Sequence, residues 1–210
     1  MTAGAMPAAR VTVVVPIYNK LGVLEPCLES ITREAARQDG VEVELVDNGS
    51  TDGSYELAAT YATRPGVRLH RWLGHPISAV RNWGARQGTG AIISFLDCDV
   101  TLPEGYFGEL ERVFAETGTA STGCECGLPP APGWIERTWH QLNVRTTDGE
   151  RHYINSANFA VRRDVFESVG GFPEDFETSK DYEYCRRIRA AGLRVYQSRS
   201  LEVAHLDNPQ

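Results

Sequence analysis

Apolar and polar positions change period repeatedly along this chain, and the changes alternate between strand and helix spacing. Val11-Thr12-Val13-Val14-Val15-Pro16-Ile17 is β-branched almost throughout, as expected of a central strand buried on both faces. Pro16 cannot donate to a ladder and marks the strand's end. Leu21, Leu24, Leu28, Ile31 and Ala35 then recur at steps of three and four, which predicts one buried face of a helix. Pro26 suits that helix only in its first turn, where a missing N–H costs little. Residues 41–46 alternate as a second strand and run into the polar octet Asp47-Asn48-Gly49-Ser50-Thr51-Asp52-Gly53-Ser54. This octet reads as a dense turn with Ser50, Thr51 or Asp52 as the N-cap of a helix to about Ala62. A short strand over 67–70 follows. Ile77, Val80, Arg81 and Gly84 lie on a helix to about Gln87, closed by Gly88-Thr89-Gly90.

The next strand, Ala91-Ile92-Ile93-Ser94-Phe95-Leu96-Asp97-Cys98-Asp99-Val100, is too short for a globular helix and ends on two carboxylates two residues apart. On a strand such residues point to the same side. Burial and mutual repulsion both penalise the ionised pair, so a compensating partner is needed. A divalent cation at the carboxyl edge of an open α/β sheet would supply one. Two solvated aspartates in a turn before Leu102-Pro103 would also satisfy the pattern. Asp47 raises the same question, because it follows a buried run directly, whereas a turn and cap account for Asn48 to Ser54.

Regularity falls in the second half. Leu102, Phe107, Leu110, Val113 and Phe114 form the apolar side of a helix from Pro103 to about Thr117. Residues 119–127 read as a strand with Cys124 and Cys126 on one face. A stiff Pro-rich loop over 128–133 precedes the aromatic segment 134–140, which reads as a wall for an apolar ring surface or as the core of a small helix. A hairpin-like loop over 146–151, a strand over 153–161, a helix over 163–168 and a tight turn over 170–173 come next. The loop 174–180 leads to a helix opened by Asp181 and ending near Ala191. A strand over 193–196 and an otherwise unstructured end containing His205 complete the chain.

Strand followed by helix at close intervals predicts an α/β fold with a mostly parallel sheet and helices on both faces. The first strand is not followed by Gly-x-Gly-x-x-Gly, and the chain has no Gly-x-x-x-x-Gly-Lys-[Ser/Thr] loop, which disfavours both common nucleotide folds. A length of 210 residues suits one large domain or two small ones. The net charge of −7 argues against a nucleic-acid partner bound by phosphate neutralisation. Five scattered cysteines form no disulfide framework, and Cys124-x-Cys126 lacks the spacing of a structural zinc site. Reduced thiols in the cytoplasm are expected. No secretory signal precedes Arg10, and no apolar run approaches the ~20 residues of a membrane span.

The motifs in their order resemble those of family 2 glycosyltransferases. They are Val13-Val14-Val15-Pro16-Ile17-Tyr18-Asn19, Val46-Asp47-Asn48-Gly49-Ser50-Thr51-Asp52-Gly53-Ser54, Ala79-Val80-Arg81-Asn82-x-Gly84 and Phe95-Leu96-Asp97-Cys98-Asp99. Asn158-Phe159-Ala160-Val161-Arg162-Arg163, Val169-Gly170-Gly171-Phe172 and Asp181-x-x-x-Cys185-Arg186-Arg187 continue the likeness, which reaches His205. The resemblance implies a single GT-A domain over residues 1–210, with a nucleotide-sugar half at about 11–100 and an acceptor half at about 101–210. It further implies a nucleoside-diphosphate-sugar donor, an inverting mechanism and a divalent cation, Mn or Mg.

Carried over position by position, Pro16, Tyr18 and Asn19 would line the nucleotide pocket. Asp47 would accept a hydrogen bond from the base, with Arg81 nearby, and Asp97 would contact the ribose or a metal-bound water. Asp99 and His205 would ligate the metal, Asn158 would touch a hydroxyl of the transferred sugar, and Asp181 would be the general base. The acceptor would be a glycan, a lipid-linked sugar or a small molecule, with peripheral association at the inner face of the membrane as one setting. The family often has an acid where this chain has Lys20, a departure expected at the periphery of the site. A non-catalytic nucleotide-sugar or glycan-binding module would keep this fold without the base or metal ligands. A sugar-nucleotidyltransferase would show a Gly- and basic-rich loop after the first strand, which Pro16-Ile17-Tyr18-Asn19 is not.

Overall fold

The computed structural model describes residues 10–124, 126–127, 134, 137–138 and 147–206. The first half follows the alternation in the sequence: β1 (Val11–Ile17), α1 (Leu21–Ala36), β2 (Val41–Asp47), α2 (Ser54–Tyr61), β3 (Val67–Arg71), α3 (Ile77–Gln87) and β4 (Ile92–Leu96). The second half is made of shorter pieces. They are β5 (Val100–Thr101), α4 (Tyr106–Thr117), β6 (Ser121–Gly123), β7 (Gly149–Glu150), β8 (Asn158–Arg162), α5 (Arg163–Val169), α6 (Lys180–Ala190), β9 (Val195–Gln197), a 3₁₀ turn (Arg199–Leu201) and β10 (Ala204–His205).

An eight-stranded sheet runs in the order β3-β2-β1-β4-β8-β6-β9-β7, and β10 pairs with β5 in a separate ribbon. β3, β2, β1 and β4 are mutually parallel, whereas β8 lies antiparallel between β4 and β6. Successive residues of β1 serve opposite faces. Val13, Val15 and Ile17 join Leu24, Leu28 and Ile31 of α1 and Phe107 and Leu110 of α4 in one core. Val14 joins Ile93, Phe95, Phe159, Phe166, Phe172 and Tyr184 in the other. Phe95 meets the edge of Phe172 at 5.1 Å between ring centres, and each such buried side chain contributes about 1.5–3 kcal/mol. No helix among the described residues is long and apolar enough to cross a membrane.

Several boundaries differ from the sequence expectation, each for a local reason. Pro26 sits beyond the first turn of α1. It and Gly22, whose carbonyl loses its helical partner, are both exposed, so water replaces the bond. The cap position of α2 is Gly53, at φ +97°. Asp52 lies just before it, taking the N–H of Ser54 on Oδ1 at 3.0 Å and that of Leu21 on Oδ2 at 3.0 Å. The expected strand over 153–161 begins only at Asn158, because the Asn155 side chain captures the Ala157 N–H at 2.9 Å. The strand over 119–127 shortens to β6, with one isolated bridge from Gly127 to Ala204. The end containing His205 is ordered: Leu201 and Val203 are buried and hold β10 against β5. The Pro-rich loop 128–133 and most of the aromatic segment 134–140 lie outside the described residues, as do residues 1–9. Trp134 itself is exposed.

α3 packs on the sheet through Gly84. A Cβ there would stand 2.6 Å from Val14 Cγ1 and 3.0 Å from Val46 Cγ2. Gly84→Ala is therefore expected to destabilise the fold by about 1–3 kcal/mol, read as a lower urea midpoint. An unchanged midpoint would show that the helix can lift off at no cost.

Candidate functional site

β1 lies between β2 and β4 in the sheet, so the chain order reverses there and a crevice opens at the strands' carboxyl ends. Pro16 and Tyr18 line one side of a cleft there, and Asn48, Arg81, Asp97 and Asp99 line the rest. Tyr18 is 57% exposed. Asn19 adopts a left-handed φ of +48°, a conformation Asn tolerates better than most residues. Its side-chain oxygen accepts the Thr51 N–H at 2.8 Å, and its own N–H donates to Ser50 Oγ at 3.1 Å. Lys20 N–H donates to Ser54 Oγ at 2.9 Å. The turn after β1 is thereby bolted to the turn after β2.

This bolting aims Lys20 into the cleft rather than leaving it at the periphery. Its Nζ lies 2.8 Å from Asp99 Oδ2. The hydrogen bond to Asp99 raises the Lys20 ammonium above its ordinary pKa, outweighing the desolvation that opposes it. Lys20 is therefore charged at neutral pH.

Asp97 and Asp99 do not end the strand as a same-side pair. β4 stops at Leu96, and both acids sit in the turn that follows. Arg81 of α3 donates to Asp97 Oδ1 with a guanidinium side chain only 5% exposed. The two acids are thus not unpaired: each has its own protein cation. Between them Cys98 is buried, and that burial, reinforced by the flanking acids, pushes its thiol up to about 12.

His205 reaches the same place because β10 runs antiparallel to β5 with His205 opposite Val100, and Leu206 N–H donates to the Asp99 carbonyl at 2.7 Å. Its Nε2 stands 3.7 Å from Asp99 Oδ1, a buried oxygen with no hydrogen-bond partner among the described residues. An orphaned carboxylate oxygen facing an imidazole nitrogen suits a divalent cation. No group of three or more His, Cys, Asp or Glu side chains converges among the described residues. The fit is therefore to an ion that completes its shell with substrate phosphates and water, as Mg²⁺ commonly does.

Two expected donor contacts are sealed in this geometry. Asp47 is fully buried, taking the Gly49 N–H at 3.0 Å and the Ser50 N–H at 3.2 Å, with Arg71 Nε 3.5 Å away. It organises the turn, and Arg81 turns to Asp97 instead. Asn158 is also fully buried. Its Oδ1 accepts Tyr106 O–H at 2.5 Å and its Nδ2 donates to the Leu201 carbonyl at 2.7 Å. Both ends of that amide bond within the core, and a contact to a sugar hydroxyl would require this site to open. Beside Asp47, Asn48 does face the cleft, and its amide clamps His75 in both directions, at 2.8 and 3.0 Å. Trp72 stacks on His75 at 3.6 Å in the same loop.

Asp181 is the second residue of α6. Ser179 occupies the cap position, at φ +58°, so Asp181 does not cap the helix. Its Oδ1 is buried without a hydrogen-bond partner among the described residues. The segment before it is tied to α3: Asn82 donates to Phe172 O at 2.8 Å and to Glu174 Oε1 at 2.9 Å, and accepts the Phe172 N–H at 2.9 Å. Arg81 and the approach to Asp181 are in this way held by neighbouring residues of one helix.

Comparison with known proteins agrees with this arrangement. The model of glycosyl transferase family 2 matches residues 12–170. Glycosyltransferase AglE of Haloferax volcanii is 29% identical over 201 residues, covering 93% of this chain and 64% of that protein. Validoxylamine A glucosyltransferase of Streptomyces hygroscopicus subsp. jinggangensis is 25% identical over 224 residues, covering 90% of this chain and 53% of that protein. The chain thus spans less than two thirds of each of these relatives. Mannosyltransferase PcManGT from Pyrobaculum calidifontis, solved with GDP-Man and Mn2+, superposes with a TM-score of 0.75 at 21% identity, over 94% of this chain and 57% of that one. S. aureus TarS 1-349 with UDP-GlcNAc gives 0.74 at 17% identity, over 96% and 59%. At these identities the likeness is one of fold, and the fold is GT-A.

The Asn48 clamp has a measurable consequence. Asn48→Ala removes two hydrogen bonds worth about 1 kcal/mol each, so the His75 amide should exchange faster by hydrogen-exchange mass spectrometry while the β1 amides keep their protection. Unchanged exchange at His75 would mean that the aromatic stack alone holds the loop.

Proposed function

The chain belongs to glycosyl transferase family 2, and we propose that it moves a glycosyl group from a nucleoside-diphosphate-sugar to an acceptor hydroxyl, with inversion at the anomeric carbon. The observation that carries this reading is the cleft itself. Asp97 and Asp99 sit at the switch point of the parallel sheet, with His205 beside the unpartnered Asp99 oxygen. The Mn2+ complex among the structural neighbours supports a divalent cation, Mn or Mg. Asp99 and His205 would hold that cation, which when bound offsets negative charge on the diphosphate leaving group.

The chain's own residues do the rest. Tyr18 and Asn48 border the base side of the cleft, with Asp47 fixing the turn beneath them. Arg81 holds Asp97 in place for the ribose or a metal-bound water. Asp181 takes the acceptor hydroxyl's proton on a carboxylate oxygen as that hydroxyl attacks the anomeric carbon. The sugar–phosphate bond breaks as the new glycosidic bond forms, and no covalent enzyme intermediate is required. The acceptor is a glycan, a lipid-linked sugar or a small molecule. GDP-Man and UDP-GlcNAc in the neighbouring structures make guanine and uracil the first bases to test.

The base and the fold separate on one substitution. Asp181→Asn should melt like the wild type, bind UDP or GDP with Mn2+ unchanged, and lose transfer by about 10²–10⁴. Retained turnover would remove Asp181 from the mechanism. Asp99→Ala should abolish the Mn2+-dependent part of nucleoside diphosphate binding by calorimetry. An unchanged affinity in Mn2+ would exclude Asp99 as a metal ligand.

A further inference from the structure

The cleft contains a cation whose role the donor reading leaves open. Lys20 and Arg81 are its two basic side chains among the lining residues, and they are placed differently. Arg81 is 5% exposed at the side chain and spent on Asp97. Lys20 is a third exposed at the side chain, and Asp99 Oδ2 occupies one of its three donors. Its backbone is anchored too, since the turn before α1 is bonded to Ser50, Thr51 and Ser54. The ammonium is therefore presented, not merely parked.

The two oxygens of Asp99 divide their work. Oδ2 holds Lys20, while Oδ1 is unpartnered and faces His205. Lys20 and a cation near His205 are neighbours rather than rivals for one oxygen. Asp97 and Asp99 are moreover balanced by Arg81 and Lys20 before any metal arrives. A diphosphate entering the cleft meets a pair of neutralised acids with a partly exposed ammonium beside them, not a bare double negative charge.

We propose that Lys20 is a fixed counter-charge for the donor's diphosphate, giving the cleft an affinity for nucleoside diphosphates that does not require a divalent cation. This rests on the donor reading above and adds a binding residue to it. Lys20 shares its protons between Asp99 Oδ2 and the phosphate oxygens, and the metal, when bound, adds to this contact.

Calorimetry with UDP and GDP on the whole chain, in EDTA and in Mn2+, tests it. The wild type should bind one of them in EDTA, and Lys20→Met should weaken that binding about tenfold or more, as expected for a charged hydrogen bond. In Mn2+ the same substitution should cost clearly less. Lys20→Arg keeps the charge and should retain most of the EDTA binding. Binding by the wild type in Mn2+ only would overturn the role of Lys20 and leave the donor reading intact. Equal loss in EDTA and Mn2+, or a Lys20→Arg variant as weak as Lys20→Met, would reduce Lys20 to a brace for Asp99 and overturn it too. No binding of either nucleotide in either condition, with both proteins folded by circular dichroism, would sink both this inference and those two donors.

Discussion

Two carboxylates at the mouth of a buried strand must each be given a cation, and the architecture around this site follows from that requirement. Removing one partner of a largely desolvated pair leaves an uncompensated charge that costs several kcal/mol, about 3–5 in buried examples. Arg81 can reach Asp97 only if α3 lies close on β1 and β2, which is why Gly84 meets Val14 and Val46 with no room for a methyl. Lys20 can reach Asp99 only if the turn after β1 is held open in a left-handed step, which Asn19 supplies and Ser50, Thr51 and Ser54 secure. Electrostatic need at one point thus fixes the packing of a helix and the conformation of two turns.

Side-chain amides are the joints that hold the rest. Asn48 clamps the His75 loop beside the cleft, Asn82 clamps the Phe172 turn and Glu174, and Asn158 ties Tyr106 to Leu201. Each uses both its donor and its acceptor, and a fully satisfied buried polar group rigidifies its surroundings where a half-satisfied one would destabilise them. The first lies within the parallel half, and the Asn82 joint connects that half to the later segments. The joints bring the approach to Asp181 under the control of the helix that carries Arg81, and they bring the strand bearing His205 back alongside Asp99.

The contrast between satisfied and unsatisfied groups also marks where chemistry is expected. Asp47 and Asn158 are fully buried and hydrogen-bonded within the fold. Asp99 and Asp181 each keep one buried oxygen without a partner among the described residues. Leaving such an oxygen bare costs stability, about 1–3 kcal/mol or more for a charged group. Under the proposed function these are the two oxygens that would take a cation and a proton.

Much of this was legible in the sequence. The β-branched run of β1, the three-and-four spacing of α1 and the acids after β2 and β4 are local signals, and they placed the parallel half and the crevice at its edge. The ordered motifs carried the family and the identity of Asp97, Asp99, Asp181 and His205 as candidates. What the sequence could not hold was who pairs with whom. Lys20 and Asp99 are 79 residues apart, and Arg81 and Asp97 are 16 apart. Asn158, expected at the transferred sugar, bonds Tyr106 and Leu201, 52 and 43 residues away. Lys20 looked peripheral until the two turns were joined. Propensity and periodicity act over a few residues, whereas the pairing of buried charges and amides is decided by which distant segments the packed core brings within about 3 Å. The elements were set by the chain's local pattern, and the charge balance of the cleft was set only by the tertiary structure.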